Sequence, residues 1–310
     1  LPLAFGRVSE LSLSQHGETH LVTQFEGVRA RYMSAARRWH ERAKVADDFY
    51  LAPGGGIRPF PAPREFLRGE PHVASDDERD LIEASGYFDP GWYLRRYPQL
   101  QDTRIEALDH YWREGRFTGY DPGPDFSQSG YARQSGGAVA PEDALAHFLR
   151  HGDAERLDPL PIFEGRQPDR SEATTVMLCG HQAGAHLYGA ERSLIDVAKG
   201  LDELGFRVVV VLPTAVNASY IETLCQHCTA LAILPFGWWQ KGREPEPATV
   251  NHIERLIERQ AIDLVAVNSL VLDEPLVAAK QLGLPVVVHL RELPRQDAAL
   301  CDTLNADSPW

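Results

Sequence analysis

The chain has 310 residues and a formal net charge of −13, a length that suits two domains with sizeable cores and a charge that argues against nucleic acid as the main partner. No apolar run approaches the roughly 18 residues of a membrane span, and no n-region followed by an h-region opens the chain, so the expectation is a soluble cytoplasmic protein or one peripheral to a membrane. Four cysteines at this size do not make a disulfide scaffold.

In chain order, the first pattern is a helix over Val28 to Val45 whose basic face carries Arg29, Arg31, Arg37, Arg38, Arg42 and Lys44. Basic faces are common on soluble helices, so a solvated face is preferred here to membrane contact. Pro53-Gly-Gly-Gly56 and Pro59 to Pro63 then break the helix into a linker.

Residues 81–165 hold an internal repeat of about 37 residues, in the range of stacked supersecondary units. Phe88-Asp-Pro-Gly-Trp-Tyr93 aligns with Phe126-Ser-Gln-Ser-Gly-Tyr131, and Ala107-Leu-Asp-His-Tyr111 with Ala144-Leu-Ala-His-Phe148. Gly115 aligns with Gly152, and Asp121-Pro-Gly-Pro-Asp-Phe126 with Asp158-Pro-Leu-Pro-Ile-Phe163. Each unit reads as a short helix opened by Asp-Pro or Ser, a turn, and a second helix ending at Gly115 or Gly152. The matched aromatics are read as core, because a unit this small buries its apolar face only against a neighbour. The competing reading exposes Trp92, Tyr93, Tyr97 and Trp112 as a sugar-stacking face. His110 and His147 recur because the repeat recurs, and no carboxylate or cysteine accompanies both at ligand spacing, so no metal site is expected.

From Thr174 onward, apolar strands alternate with amphipathic helices. The first strand leads through the loop Gly180 to Gly189 into a helix with the stripe Ala190, Leu194, Val197, Ala198, Leu201 and Leu204, stopped at Gly205. Strands follow at Val208 to Leu212, Leu231 to Leu234, Leu264 to Val267 and Val286 to Leu290. Helices fall near Ala218 to Cys228, Thr249 to Arg259 and Pro275 to Leu282. Continuous Val/Ile/Leu strands alternating with helices predict a parallel, Rossmann-like α/β sheet over 171–310, preceded by the mostly α-helical repeat region. His181, His186, Asn268, Ser269, His289, Arg291 and Glu292 all fall at or beyond carboxyl ends of strands, where such sheets bind ligands. The glycines at 180, 184 and 189 do not fit a dinucleotide fingerprint, and Gly189-Ala-Glu191 is not a Walker loop. Cys225-Gln-His-Cys228 has ligand-like spacing but no second pair, which disfavours zinc.

Tyr188-Gly-Ala-Glu-Arg-Ser-Leu194, the helix end Leu204-Gly-Phe-Arg-Val208 and the strand end Leu212-Pro213 resemble the amino-terminal half of a GT-B glycosyltransferase. The nearest likeness is to the large retaining family often numbered four. Asp263 to Ser269, the helix after Pro275, and Gly283-Leu-Pro-Val-Val-Val-His289-Leu-Arg291-Glu292 resemble its later strands, and together these motifs cover residues 171–297. Tyr188 departs from the family's first glycine, and Leu-Arg-Glu follows His289 where many members have an acidic residue at once. The resemblance implies transfer of a sugar from a nucleotide-sugar donor, with no other cofactor, to a polysaccharide or lipid-linked acceptor. It implies that His289 contacts the transferring sugar and that the turn of Gly189, Ala190 and Glu191 abuts the donor. His186, Arg192, Asn268 and Ser269 would line the same mouth, with Arg291 and Glu292 bordering the acceptor. The donor would sit mostly in a second GT-B domain that the sequence does not contain, so this chain is expected to be inactive alone. The repeats resemble small helical units that accompany bacterial polysaccharide glycosyltransferases. The rival expectation is a non-catalytic carbohydrate-binding or assembly module.

Overall fold

The computed structural model describes residues 76–100, 106–168, 170, 172–181, 183–184, 187–239, 243–269 and 271–289. The chain divides into two units, Leu1–Val73 and Ala74–Trp310, and every described residue lies in the second. The helix and linker expected before residue 76 fall outside the described residues.

The helical part begins with α1 (Asp76–Ala84) and α2 (Pro90–Arg96). A helix over residues 107–118, α3, closes the first repeat, and α4 (Gln128–Gln134) with α5, residues 144–155, makes the second. The two units share their hydrogen bonds as well as their residues. Asp89 caps α2 by accepting from the Trp92 N–H at 2.8 Å, and Ser127 caps α4 by accepting from the Gly130 N–H at 3.2 Å. The Tyr93 hydroxyl meets His110 Nδ1 at 2.9 Å, and the Tyr131 hydroxyl meets His147 Nδ1 at 2.9 Å. The Asp89 N–H donates to the Pro122 carbonyl, and the Ser127 N–H to the Pro159 carbonyl. Each Asp-Pro link therefore folds back onto the cap of the first helix of its unit. The two histidines are repeat-internal partners of tyrosines, which explains their recurrence.

Trp92, Tyr93, Tyr111, Phe126, Tyr131 and Leu145 form one core shared by both units. Trp92 is 1% exposed and Tyr93 0%, while Tyr97 and Trp112 pack partly buried against that core. The reading of these aromatics as core is therefore the one the structure bears out, and the competing sugar-stacking face is not formed, since full burial of a large apolar side chain is worth about 1.5–3 kcal/mol. Gly115 and Gly152 are corrected too. Both lie inside π-helical turns, Tyr111–Gly115 and Phe148–Gly152, with the helix continuing beyond them. A Cβ on Gly115 would run into the Tyr93 hydroxyl, so close approach, not helix termination, demands glycine there. The left-handed stops are Gly119 (φ 82°) in the first unit and Arg156 (φ 54°) in the second.

The α/β part is a six-stranded sheet of order β1-β4-β3-β2-β5-β6. Its strands are β1 (Ile162–Glu164), β2 (Thr175–Cys179), β3 (Arg207–Leu212), β4 (Ala230–Ile233), β5 (Leu264–Val267) and β6 (Val286–Val288). All neighbours are parallel except β1, which pairs antiparallel with β4. Thus β1 is the third beginning of the repeat, Asp158-Pro-Leu-Pro-Ile-Phe163, drawn into an edge strand; the Ile233 N–H donates to the Pro161 carbonyl just before it.

Helices α6 (Gly189–Glu203), α7 (Ala218–Cys225), α8 (Pro247–Gln260) and α9 (Asp273–Gln281) cover the sheet. Alternation along β3 divides the core: Val208, Val210 and Leu212 pack under Leu194, Ala198, Tyr220 and Leu224 of α6 and α7. Val209 and Val211 face Ile253, Leu256, Ala278 and Ala279 of α8 and α9. The sheet is thus covered on both faces, as the unbroken apolar strands require. Of the stripe expected on α6, Leu194 and Ala198 are fully buried, but Leu204 is 76% exposed; it is the C-cap, where the helix has run past the sheet.

Candidate functional site at the carboxyl edge of the sheet

The parallel strands run β4-β3-β2-β5-β6, so successive connections leave β2 in opposite directions and open a crevice between the carboxyl ends of β2 and β5. Cys179, Val267 and Val288 occupy one row across β2, β5 and β6. One residue further on, the Gly180 N–H donates to the Val211 carbonyl, Asn268 N–H to Cys179, and His289 N–H to Val267 at 2.8 Å. Gly180, Asn268 and His289 therefore form the next row, and His289 sits two strand spacings from Gly180, about 10 Å. The structure brings these elements to one rim, with His289 exposed.

The loop after β2 ends at the N-terminus of α6. Glu191 is 7% exposed, and its carboxylate accepts from the Tyr188 N–H at 2.8 Å, satisfying one of the donors that a helix start leaves without an intrahelical partner. Asn268 Nδ2 donates to the Ala190 carbonyl at 3.0 Å, which ties the end of β5 to the first turn of α6. Ser269 is fully buried, and its hydroxyl accepts from the Val271 N–H at 3.2 Å. These three side chains hold the shape of the crevice. Gly189 and Arg192 are exposed and Ala190 half-buried at its lip; a Cβ built on Gly184 or Gly189 meets open space. Asn217 Nδ2 donates to the Gly184 carbonyl at 2.7 Å, joining the loop after β3 to the glycine loop. His186, Arg291 and Glu292 lie outside the described residues.

A second set of groups at this rim was not singled out in the sequence. The connection from β4 to α8 is long and crosses the carboxyl edge to reach the far side of β2. Its Trp238 ring centroid lies 5.6 Å from that of His181, two residues past β2, and its Trp239 N–H donates to the Val271 carbonyl at 2.7 Å. Beneath it, Arg243 Nη2 lies 3.1 Å from both Asp273 Oδ1 and Glu274 Oε1, with all three side chains buried. Burial and the neighbouring Glu274 push the Asp273 carboxyl up to about 8, so near neutrality Asp273 keeps its proton beside the guanidinium. The available signal was a pair of tryptophans in an over-long connection after a strand, since connections of this length are uncommon without a function.

Among the described residues no group of three or more His, Cys, Asp or Glu side chains is arranged to hold a metal. Cys225 and Cys228 are buried at the end of α7. No helix among the described residues is long and apolar enough to cross a membrane. A separate cavity of about 670 Å³ opens between the repeats and the loop after β3, lined by Phe117, Arg133, Ala215 and Val216 among others. Its lining comes from neither β2 nor β5, so it is not the switch-point crevice.

No curated protein matches the chain. Residues 188–298, a little over a third of the chain and the part that carries α6 to β6, match the family model of Glycosyltransferase Family 4, so this segment of the α/β sheet is similar to glycosyltransferase domains of that family.

Proposed function

We propose that the chain supplies the acceptor-side half of a GT-B glycosyltransferase that moves a sugar, with retention, from a nucleotide-sugar donor to a polysaccharide or lipid-linked acceptor. The observation that carries this reading is the switch-point crevice. It gathers the α6 N-terminus, Asn268 and His289 on one rim, inside the segment that matches the glycosyltransferase family. A helix start presents backbone N–H groups and a positive dipole end, which suits the phosphates of a nucleotide sugar. His289 is assigned a hydrogen bond to a hydroxyl of the transferring sugar. Gly189 and Ala190 abut the donor, while Glu191, Asn268 and Ser269 act as positioning residues through their bonds to backbone. Arg192 and His186 are assigned to the lining of the same mouth, Arg291 and Glu292 to the acceptor side, and the greater part of the donor site to a second nucleotide-binding domain.

The test is to incubate the full-length gene product with a panel of nucleotide sugars and oligosaccharide acceptors. Sugar transfer is expected from at least one donor, and His289→Ala should lower kcat/KM by about 100-fold, the size of a lost transition-state contact. A wild-type rate in His289→Ala would remove this histidine from the mechanism. Glycan binding with no transfer from any donor would favour a carbohydrate-binding or assembly module instead.

A further inference from the structure

We propose that Trp238 is a stacking platform for a pyranose ring of the acceptor, braced in place by the first helical repeat; this rests on the reading of the crevice as a sugar-transfer site. The connection between β4 and α8 is pinned on both sides of this residue. Arg96 Nη2, from α2 of the first repeat, donates to the Phe236 carbonyl at 2.8 Å. The Gly237 N–H donates to the Glu274 carboxylate at 3.3 Å, and the Trp239 N–H is held by Val271. At the far end of the connection, Arg95 grips Glu246 with two parallel bonds, Nε to Oε1 at 2.6 Å and Nη2 to Oε2 at 3.0 Å. Such bidentate guanidinium–carboxylate pairs fix orientation as well as distance.

Within that fixed backbone, Phe236 is 1% and Trp239 4% exposed, yet Trp238 between them is 55% exposed. The loop buries aromatic rings on either side, so leaving an indole in water beside the crevice forgoes burial that its neighbours obtain. The ring is set against the buried His181 at 5.6 Å with a tilt of 58°, which places an apolar face beside the polar carboxyl edge of the sheet. A pyranose has this same division, with a face of C–H groups and a rim of hydroxyls. The occupant is assigned to the ends of β2 and β5, which the contacts of Trp238 with His181 and of Trp239 with Val271 adjoin. Arg95 and Arg96 act through the loop and are positioning residues.

Calorimetric titration of the full chain with cello-, malto- and chito-oligosaccharides, and separately with uridine diphosphate, tests this. One oligosaccharide series is expected to bind, with Trp238→Ala weakening it at least about tenfold and Trp238→Phe staying within about threefold, as ring stacking implies. Melting temperatures should not move, since the side chain is exposed. In transfer assays the acceptor KM should rise with kcat and donor KM unchanged, and Arg95→Ala should reproduce part of that rise. Wild-type glycan affinity in Trp238→Ala, or loss of uridine diphosphate affinity with glycan affinity intact, overturns the proposal. Transfer with an unchanged acceptor KM in Trp238→Ala overturns it while leaving the transfer reading standing. Glycan binding that depends on Trp238 in a chain that transfers nothing with any partner domain supports the platform and sinks the transfer reading.

Discussion

Asp121 couples the repeats to pH. It is 4% exposed, accepts from the Gln128 N–H at 2.8 Å, and is pushed up to about 7 by burial, against the opposing pull of that bond and of Arg96. Its folded value lies above the unfolded one, so folding favours the protonated form. Its contribution is therefore full below about pH 4 and is lost as the pH rises toward 7. Melting temperature is expected to fall across that window in the wild type and to fall less in Asp121→Asn, whose amide oxygen can still accept from Gln128. Equal slopes in the two proteins would mean that the carboxyl is ionised in the folded state throughout. Elsewhere at this scale the sequence located the right loops but not the bonds within them. Asn268 was legible as a rim residue because it follows an apolar run, and Glu191 because it stands at the helix start after the glycine loop. Their partners, the Tyr188 N–H and the Ala190 carbonyl, are backbone groups that no side-chain pattern reports.

At the scale of elements, periodicity revealed most of the sheet and its helices, because strands buried on both faces leave unbroken apolar runs. It failed where an element has no periodic signature. The π turns at Tyr111–Gly115 and Phe148–Gly152 insert one residue per turn without changing composition, so their glycines looked like helix ends. The three-residue β1 was hidden inside a repeat whose other copies are not strands. If Gly115 is needed for the approach of Tyr93, Gly115→Ala should push the hydroxyl off His110 and lower stability by about 1–3 kcal/mol in denaturant titrations. The same substitution at Gly200, half-buried in α6 where an added Cβ meets nothing, should be neutral or stabilising by up to about 1 kcal/mol, as a helical glycine with open space beside it predicts. Similar losses at both sites would refute the steric account.

At the scale of the whole molecule, the repeats and the sheet are tied at several places. Besides Arg95 and Glu246, His252 of α8 meets Asp125 at 2.6 Å, Arg133 Nε donates to the Ala215 carbonyl at 2.8 Å, and the Ala215 N–H donates to the Ser129 hydroxyl at 2.9 Å. Arg95 and Glu246 are 151 positions apart, far beyond any window in which hydrophobic periodicity carries information, so this docking was not legible. A double-mutant cycle over Arg95→Ala and Glu246→Ala is expected to give a coupling of about 1 kcal/mol, discounted for the half-exposed arginine. Additive losses would show that the repeats are held by other contacts.

Arg95 and Arg133 occupy the same position in successive repeats, two residues after Tyr93 and Tyr131, and they reach the loops that follow β4 and β3. The spacing of the helical units is thereby locked to the spacing of neighbouring crossovers, like a rack cut to one gear. A single residue inserted in α4 ahead of Arg133 would turn that arginine by about 100° around its helix and unmesh it. The length of the repeat is therefore constrained by the sheet it rides on as well as by its own packing.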